Sequence, residues 1–370
     1  MENFVSNVND GLKFFTKNKK FEKVLIIAGK KSFKSSGAEK LINKYFKQKK
    51  LSFFFKISKY PDFAELKKIL LTIKKDLPNL IIAIGGGSVL DYAKIANVLI
   101  DNNNLQKEIE NSNYKIKDKF AKLIAIPTTA GSGAEVTSNA VIYIDKKKYS
   151  IENKKLLPDK FFLVPELVKN ANLEIKASAG FDAIAQAIES LMSKKSNSES
   201  VFYAEKSLSL SLRHFIDFLK NSNYENSSAM CLSSNLAGKA INISKTTAPH
   251  AVSYPFTILY NISHGHAVSL TLNQFLKYNY TNIKKANCNF NLKERFEILF
   301  NLTNTKDFYS FDRYLFNLKK EANLEGNFKK LNIDIEKDYV NFVSGINVLR
   351  LANNPVAIKP DDLKKIILNL

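Results

Sequence analysis

The stretch LIIAIGGGSVLDYAKIANVL, residues 80–99, decides the fold of this 370-residue chain. Its first five positions are wholly apolar, as in a strand buried on both faces. Three consecutive glycines follow, Gly85, Gly86 and Gly87, and then Ser88, Asp91 and Lys94 alternate with apolar residues at helical spacing. Strand, glycine turn and helix in that order form the opening of a βαβ unit. Glycines there let the backbone come close to a phosphate, and a helix N-terminus offers N–H groups with partial positive charge. The spacing is not that of the six-residue dinucleotide fingerprint, so the stretch by itself fits both a pyrophosphate site and a tight structural turn.

Working outward, KVLIIAG (23–29) and SFFFKIS (52–58) are strands, each followed by a helical segment, GAEKLINKYFKQ (37–48) and FAELKKILLTIKK (63–75). KLIAIPTTAGSGAEVTSNAVIYID (122–145) gives a strand, a loop dense in hydroxyls and glycines, and a further strand. The alternation predicts parallel strands with crossover helices, a doubly wound, Rossmann-like dinucleotide-binding domain over residues 1–158. A second loop placed straight after a strand strengthens the nucleotide reading, because such sheets bind ligands outside the carboxyl ends of their strands. Pro158 and Pro165 punctuate the connection that follows. Beyond it, DAIAQAIESLMSKK (182–195), ESVFYAEKSLSLSLRHFIDFLK (199–220) and AMCLSSNLAGKAINISK (229–245) carry helical periodicity alone, which predicts an all-helical domain over residues 159–370.

A hydrophobic content of 45% is ample for packed cores. Basic residues outnumber acidic ones by 56 to 35, a formal charge of +21. Only Arg213, Arg295, Arg313 and Arg350 are arginines, and the lysines are scattered with no basic arm. That pattern argues for a solvated surface or for steering of an anionic substrate, and against nucleic-acid binding. The opening residues MENFVSNVND lack a signal pattern, and no apolar run approaches the ~18 residues of a membrane span, so a cytoplasmic protein with no membrane partner is expected. Two cysteines cannot build a disulfide framework.

Three of the four histidines fall in HAVSYPFTILYNISHGH, residues 250–266. Pro255 and the NISHG segment predict a helix, a break and a second helix, so His250 and His264 can converge only through folding. In the segment AGFDAIAQAIES, Asp182 and Gln186 are spaced i, i+4 on one helix face and offer oxygen ligands that complement two imidazoles around a divalent cation. Spacing alone favours a set of hydrogen-bonded core polar residues over a metal site.

GGGSVLDYAK, IPTTAGSGAEVT, GFDAIAQAIES and PHAVSYPFTILYNISHGHA occur in the order and rough spacing of the iron-containing (group III) alcohol dehydrogenase family, which the chain resembles clearly over about residues 20–275. The resemblance implies the dehydroquinate synthase-like architecture, an N-terminal dinucleotide-binding domain and a helical C-terminal domain with metal and substrate in the cleft between them. It implies that Gly85, Gly86, Gly87 and Ser88 hold the cofactor pyrophosphate, with Asp91 and Lys94 on the helix that follows. It implies that Thr128, Thr129 and Ser132 line the nicotinamide half, and that Lys148 lies near its ribose. Asp182, His250 and His264 match three of four metal ligands, for Fe²⁺ or Zn²⁺, and Gln186 stands where most members have the fourth, a histidine. Tyr254 replaces another common histidine and His266 is an added one; either is a candidate to relay the proton.

Gln in the Asp helix together with TTAPHAVSYPFT and HGHAVSLT looks like the phosphonate-metabolism branch, which includes phosphonoacetaldehyde reductase and hydroxyethylphosphonate dehydrogenase. The implied reaction is NAD(P)H-linked interconversion of a small anionic aldehyde and its alcohol, with the metal polarising the substrate oxygen. Lys245, with Thr246 and Thr247, is the candidate for the anionic tail. GKKSFKSSG (29–37) carries lysines and serines but no carboxylate for ribose hydroxyls, which leans to NADPH or dual use. A homodimer is expected, as is common in the family. The competing classes are a general small-aldehyde or primary-alcohol dehydrogenase of the same family, a lyase or cyclase on the same architecture, and a non-catalytic basic protein.

Overall fold

A computed structural model of the chain describes residues 8–102, 104–116, 118–145 and 147–369. The first seven residues, part of the segment in which no signal pattern was found, and residue 370, the end of the expected second domain, lie outside the described residues. Two compact units emerge, one holding the described residues to Asn172 together with Ser222–Cys231, the other Leu173–Asn221 with the residues from Leu232 onward.

The first unit runs α1 (Val8–Lys17), β1 (Lys23–Gly29), α2 (Ser32–Ser35), α3 (Ala38–Phe46), β2 (Lys50–Lys56), α4 (Phe63–Asp76), β3 (Leu80–Gly85), α5 (Gly87–Val98), α6 (Leu105–Glu110), β4 (Lys122–Pro127), β5 (Asn139–Ile144), β6 (Lys147–Glu152), β7 (Lys160–Phe161) and α7 (Pro165–Lys169). Five strands form a parallel sheet in the order β2-β1-β3-β4-β7. Leu25, Ile27, Ile81, Ala83, Leu123 and Ala125 pack beneath α4 and α5 on one face. Val24, Ile26, Leu80, Ile82, Ile124 and Ile126 pack with Ile42 and Phe46 of α3 on the other. Burial on both faces is why these strands are continuous apolar runs rather than alternating ones.

The winding reverses between β1 and β3, the switch point at which doubly wound sheets bind ligands. β5 departs from expectation: it pairs antiparallel with β6 in a separate two-stranded ribbon. The loop between β4 and β5 holds one 3₁₀ turn, Ala134–Val136, and is too short for the crossover helix that a parallel return requires. β7 extends the sheet just past the expected boundary after residue 158.

The second unit runs α8 (Leu173–Met192), α9 (Ser198–Lys220), α10 (Tyr224–Ser244, its first part belonging to the first unit), α11 (Ala248–Tyr260), α12 (His264–Thr281), α13 (Leu292–Thr303), α14 (Phe308–Glu321), α15 (Ile335–Ser344), α16 (Val348–Ala352) and α17 (Pro360–Leu368). Among its described residues there is no strand. One core cluster joins Phe256 of α11, Phe275 of α12 and Phe342 of α15. The expected break does not fall at Pro255, which lies inside α11; it comes at Asn261, in the left-handed region at φ 58°. Proline lacks the N–H that would pair with the carbonyl four residues back. That carbonyl, Ala251 O, accepts instead from Asn347 N at 3.3 Å, so the helix survives and gains a tie to the segment leading into α16. No helix among the described residues is long and apolar enough to cross a membrane.

Candidate metal and cofactor sites

Asp182, Gln186 and Glu189 project from one side of α8, whose later turns are wholly buried. α12 begins at His264, and its second residue is glycine for a steric reason. A Cβ on Gly265 would lie 1.9 Å from Ser178 O and 2.8 Å from the Asp182 Cβ. Only glycine lets the start of α12 press against α8 so closely, and that approach carries His264 to Asp182.

Ligand atoms of Asp182, His250 and His264 lie within 4.8 Å of one another. Asp182 Oδ1 is 3.2 Å from His250 Nε2 and 3.9 Å from His264 Nε2. Gln186 Nε2 donates to Asp182 Oδ2 at 3.0 Å, which leaves Gln186 Oε1 buried without a hydrogen-bond partner. An unpaired buried amide oxygen costs about 1–3 kcal/mol, and a cation held by Asp182 would pair it. One carboxylate, two imidazoles and an amide oxygen suit a divalent transition metal, so the residues present fit the group that the sequence implied. Asp182 and His250 are buried, whereas His264 keeps 38% of its side chain exposed and is the accessible edge of the set.

Sequence reasoning missed Glu189, although it stands in the quoted AGFDAIAQAIES motif, two helical turns after Asp182. One of its oxygens accepts from Thr247 N (2.9 Å), Thr247 Oγ1 (3.0 Å) and His250 N (3.3 Å), so this carboxylate caps the N-terminus of α11. The other bonds the His250 Nδ1. A carboxylate at Nδ1 holds the ring proton there and leaves Nε2 as the ligand atom facing Asp182. Burial alone would lower the His250 pKa, but Glu189 and then Asp182 outweigh it and bring the metal-free imidazole to about 9.

Tyr254 and His266 part company in the structure. The Tyr254 ring stacks on His264, centroids 5.8 Å apart, and its hydroxyl accepts a hydrogen bond from the Arg350 guanidinium. Burial raises the Tyr254 pKa while Arg350 opposes the rise. His266 turns away: its Nε2 bonds Glu325 O at 2.7 Å. Lys245 sits in the left-handed region at φ 62° just after α10, with Nζ donating to Asn242 O at 3.2 Å. The expected anion pocket of Lys245, Thr246 and Thr247 does not form as drawn, because the N–H and hydroxyl of Thr247 are committed to Glu189.

In the first unit, Gly85 pairs with Pro127 in register, so the glycine turn and the hydroxyl loop leave adjacent strands side by side. Thr128 N donates to Gly85 O at 2.9 Å. A Cβ on Gly87 would meet Ser132 Oγ at 2.6 Å, so glycine there admits the second loop, whereas one on Gly86 would make only ordinary contact with Thr129 Oγ1 at 3.5 Å. No side chain caps α5, which leaves its first N–H groups directed at the turn where Ser88 is partly exposed. Lys30 and Lys31 stand exposed at the carboxyl end of β1, next to β3.

Asp91 and Lys94 act differently from a cofactor contact. Lys94 is buried, and its three N–H donors go to Ala134 O (3.0 Å), Thr137 Oγ1 (3.0 Å) and Asn139 O (2.5 Å). With its donors spent inside the unit, Lys94 pins the hydroxyl loop onto α5; burial lowers its pKa to about 8 against the pull of Asp91 and Glu135. Asp91 accepts from Val141 N at 3.1 Å; burial raises its pKa, opposed first by Lys94 and least by Lys148. Both acidic and basic groups on this helix thus secure the loop and the β5–β6 ribbon.

Comparison with known proteins gives two family models. One, for iron-containing alcohol dehydrogenase, matches residues 5–165; the other, for the C-terminal part of that family, matches residues 176–370. A phosphonoacetaldehyde reductase of Streptomyces viridochromogenes is 29% identical over 233 residues, 59% of this chain and 56% of that protein. A 4-hydroxybutyrate dehydrogenase of Clostridium kluyveri is 30% identical over 225 residues, 60% of each. The matched part therefore spans little more than half the length of these curated relatives. The crystal structure of a sulfoacetaldehyde reductase from Bifidobacterium kashiwanohense in complex with NAD⁺ superposes with a TM-score of 0.86 at 27% identity, over 99% of this chain and 94% of that one. With one family model on each side of the chain and an NAD⁺-bound relative of the same fold, this chain belongs to the iron-containing alcohol dehydrogenase family.

Proposed function

We propose that this chain reduces a short aldehyde bearing an anionic tail to its alcohol with NAD(P)H, and that phosphonoacetaldehyde, yielding 2-hydroxyethylphosphonate, is the leading substrate. The observation that carries the reading is the Asp182, His250 and His264 group with the unpaired oxygen of Gln186 beside it. The names of three similar proteins support the tail: a phosphonate, a sulfonate and a carboxylate, each on a short chain ending in an aldehyde or alcohol.

Asp182, Gln186, His250 and His264 would hold the divalent metal, Fe²⁺ or Zn²⁺. Once bound it supplies Lewis-acid polarisation of the substrate oxygen. The rest falls to the chain's own residues. Glu189 keeps the His250 proton on Nδ1 and α11 in place. Tyr254, on His264 and kept protonated by burial, is better placed than His266 to give the substrate oxygen its proton as hydride reaches carbon. The glycine turn and Ser88 take the cofactor pyrophosphate, and Thr128, Thr129 and Ser132 the nicotinamide half. Lys30 and Lys31, with no carboxylate beside them in the 29–37 segment, favour NADPH or use of both cofactors.

The test is a panel of phosphonoacetaldehyde, sulfoacetaldehyde, succinic semialdehyde and propanal, each with NADH and NADPH, on protein reconstituted with Fe²⁺, Zn²⁺ or Mn²⁺. The reading expects stoichiometric cofactor oxidation and the highest kcat/KM on an anionic member. Equal or better turnover of propanal would establish the general small-aldehyde dehydrogenase instead, and product without net cofactor oxidation a lyase or cyclase.

A further inference from the structure

We propose that the Arg350 guanidinium, aimed by its bond to the Tyr254 hydroxyl, is the subsite for the anionic tail of the substrate. The inference rests on the anionic-aldehyde reading above and replaces Lys245 in that role.

Arg350 is fixed beside the ligand group by three ties. Asn347 Oδ1 accepts from Arg350 N at 2.9 Å, which starts the short helix α16. Asn347 N in turn donates to Ala251 O, the carbonyl released by Pro255 within the helix that carries both His250 and Tyr254. The third tie is the guanidinium's own bond to the Tyr254 hydroxyl. Because the Tyr254 ring stacks on His264, one aromatic ring separates the guanidinium from a candidate ligand. A substrate with its oxygen at the ligand group and its charge two carbons away spans a gap of that kind.

The charge on Arg350 also lacks a counterpart. It is partly buried, yet no carboxylate lies within ion-pair distance of it among the described residues. Partly desolvated guanidinium groups ordinarily pair with an anion, and the planar fork with five N–H donors matches phosphonate or sulfonate oxygens two at a time. One donor goes to Tyr254, which aims the fork, and enough remain for a bidentate anion. Lys245 offers less, since its Nζ is engaged by Asn242 O and the neighbouring Thr247 donors belong to Glu189.

Arg350→Gln, Arg350→Lys and Lys245→Ala, each checked for an unchanged melting curve, are to be compared with the parent protein on phosphonoacetaldehyde and on propanal. Calorimetric binding of ethylphosphonate, which has the tail but no aldehyde, reads the subsite without turnover. Loss of charge-assisted hydrogen bonds should lower the phosphonoacetaldehyde-to-propanal ratio of kcat/KM about 10- to 100-fold in Arg350→Gln, through KM, and abolish ethylphosphonate binding. Arg350→Lys should fall between, keeping the charge and losing the fork. An unchanged ratio in Arg350→Gln, or a loss confined to Lys245→Ala, overturns the assignment to Arg350 while leaving the anionic-aldehyde reading intact. A parent protein that neither prefers phosphonoacetaldehyde nor binds ethylphosphonate overturns both.

Discussion

Replacing Glu189 by glutamine should disarm the metal site while leaving the fold nearly intact. The carboxylate is almost fully buried and accepts four hydrogen bonds, three on one oxygen from Thr247 and the His250 backbone and one on the other from His250 Nδ1. Glutamine has the same shape but one acceptor and one donor end. The three donors around the first oxygen require the amide oxygen there, since an NH₂ group would face two N–H groups and a hydroxyl. The NH₂ then faces His250 Nδ1, which must become an acceptor, so the ring proton moves to Nε2, the atom that faces Asp182. An imidazole protonated on that nitrogen cannot ligate.

Outer-shell carboxylates of metal-bound histidines typically account for 10- to 100-fold in metal affinity, about 1.4–2.7 kcal/mol. Because the tautomer itself is reversed, the loss in Glu189→Gln should reach the upper end. Glu189→Ala makes the contrast: it strips the acceptors from buried donors and should lower stability by about 3–5 kcal/mol. Competition with a chromogenic chelator measures Zn²⁺ affinity, thermal melting of the metal-free protein measures stability, and ¹⁵N chemical shifts of the His250 ring report the tautomer. Wild-type Zn²⁺ affinity in Glu189→Gln, or a His250 proton still on Nδ1, would refute the reasoning.

Three further outcomes are expected. Gln186→His should tighten divalent-metal binding and Gln186→Ala weaken it, each by about tenfold or more; metal content unchanged in both would remove residue 186 from the site. Lys94→Met should lower the melting temperature by about 6–12 °C, the equivalent of about 3 kcal/mol from three abandoned acceptors, and an unshifted melt would show that the loop does not depend on that clamp. The third concerns pH: with the His250 pKa raised from 6.5 to about 9, its protonated form stabilises the metal-free protein fully below pH 6.5, and that contribution is lost as pH rises through about 9. A metal must displace the same proton, so metal affinity should climb toward pH 9 as metal-free stability declines, and Glu189→Gln should move both trends to lower pH. Affinity flat between pH 6.5 and 9 would contradict this.

How much of the site was legible depended on whether a residue's role lay in local pattern. Asp182 and Gln186 share a helix face by spacing alone, and His250 and His264 stood out because histidine is scarce here. Glu189 sat in the same motif, but buried glutamate on an apolar helix has many structural uses, and the Thr247 and His250 donors that define its role arrive from another helix. Lys94 followed the glycine turn at a position suited to a cofactor, and only the folded loop reveals where its three donors go. Arg350 lies 96 residues beyond Tyr254 in sequence, with nothing in the local pattern of α16 to connect them.

The sequence by itself determined the alternation of buried strands and helices, the glycine turn after β3, the change to helical periodicity and the set of metal-competent side chains. These follow from short-range physics: apolar period, backbone freedom at glycine and side-chain chemistry. Tertiary structure alone decided the antiparallel β5–β6 ribbon, the survival of a helix through Pro255, the tautomer imposed on His250 and the separation of Tyr254 from His266. Apart from the ribbon, whose strands are neighbours in the chain, each of those turns on a hydrogen-bond partner distant in sequence, such as Asn347 for the carbonyl that Pro255 releases or Glu189 for an imidazole some sixty residues away, and no local pattern encodes which partner arrives.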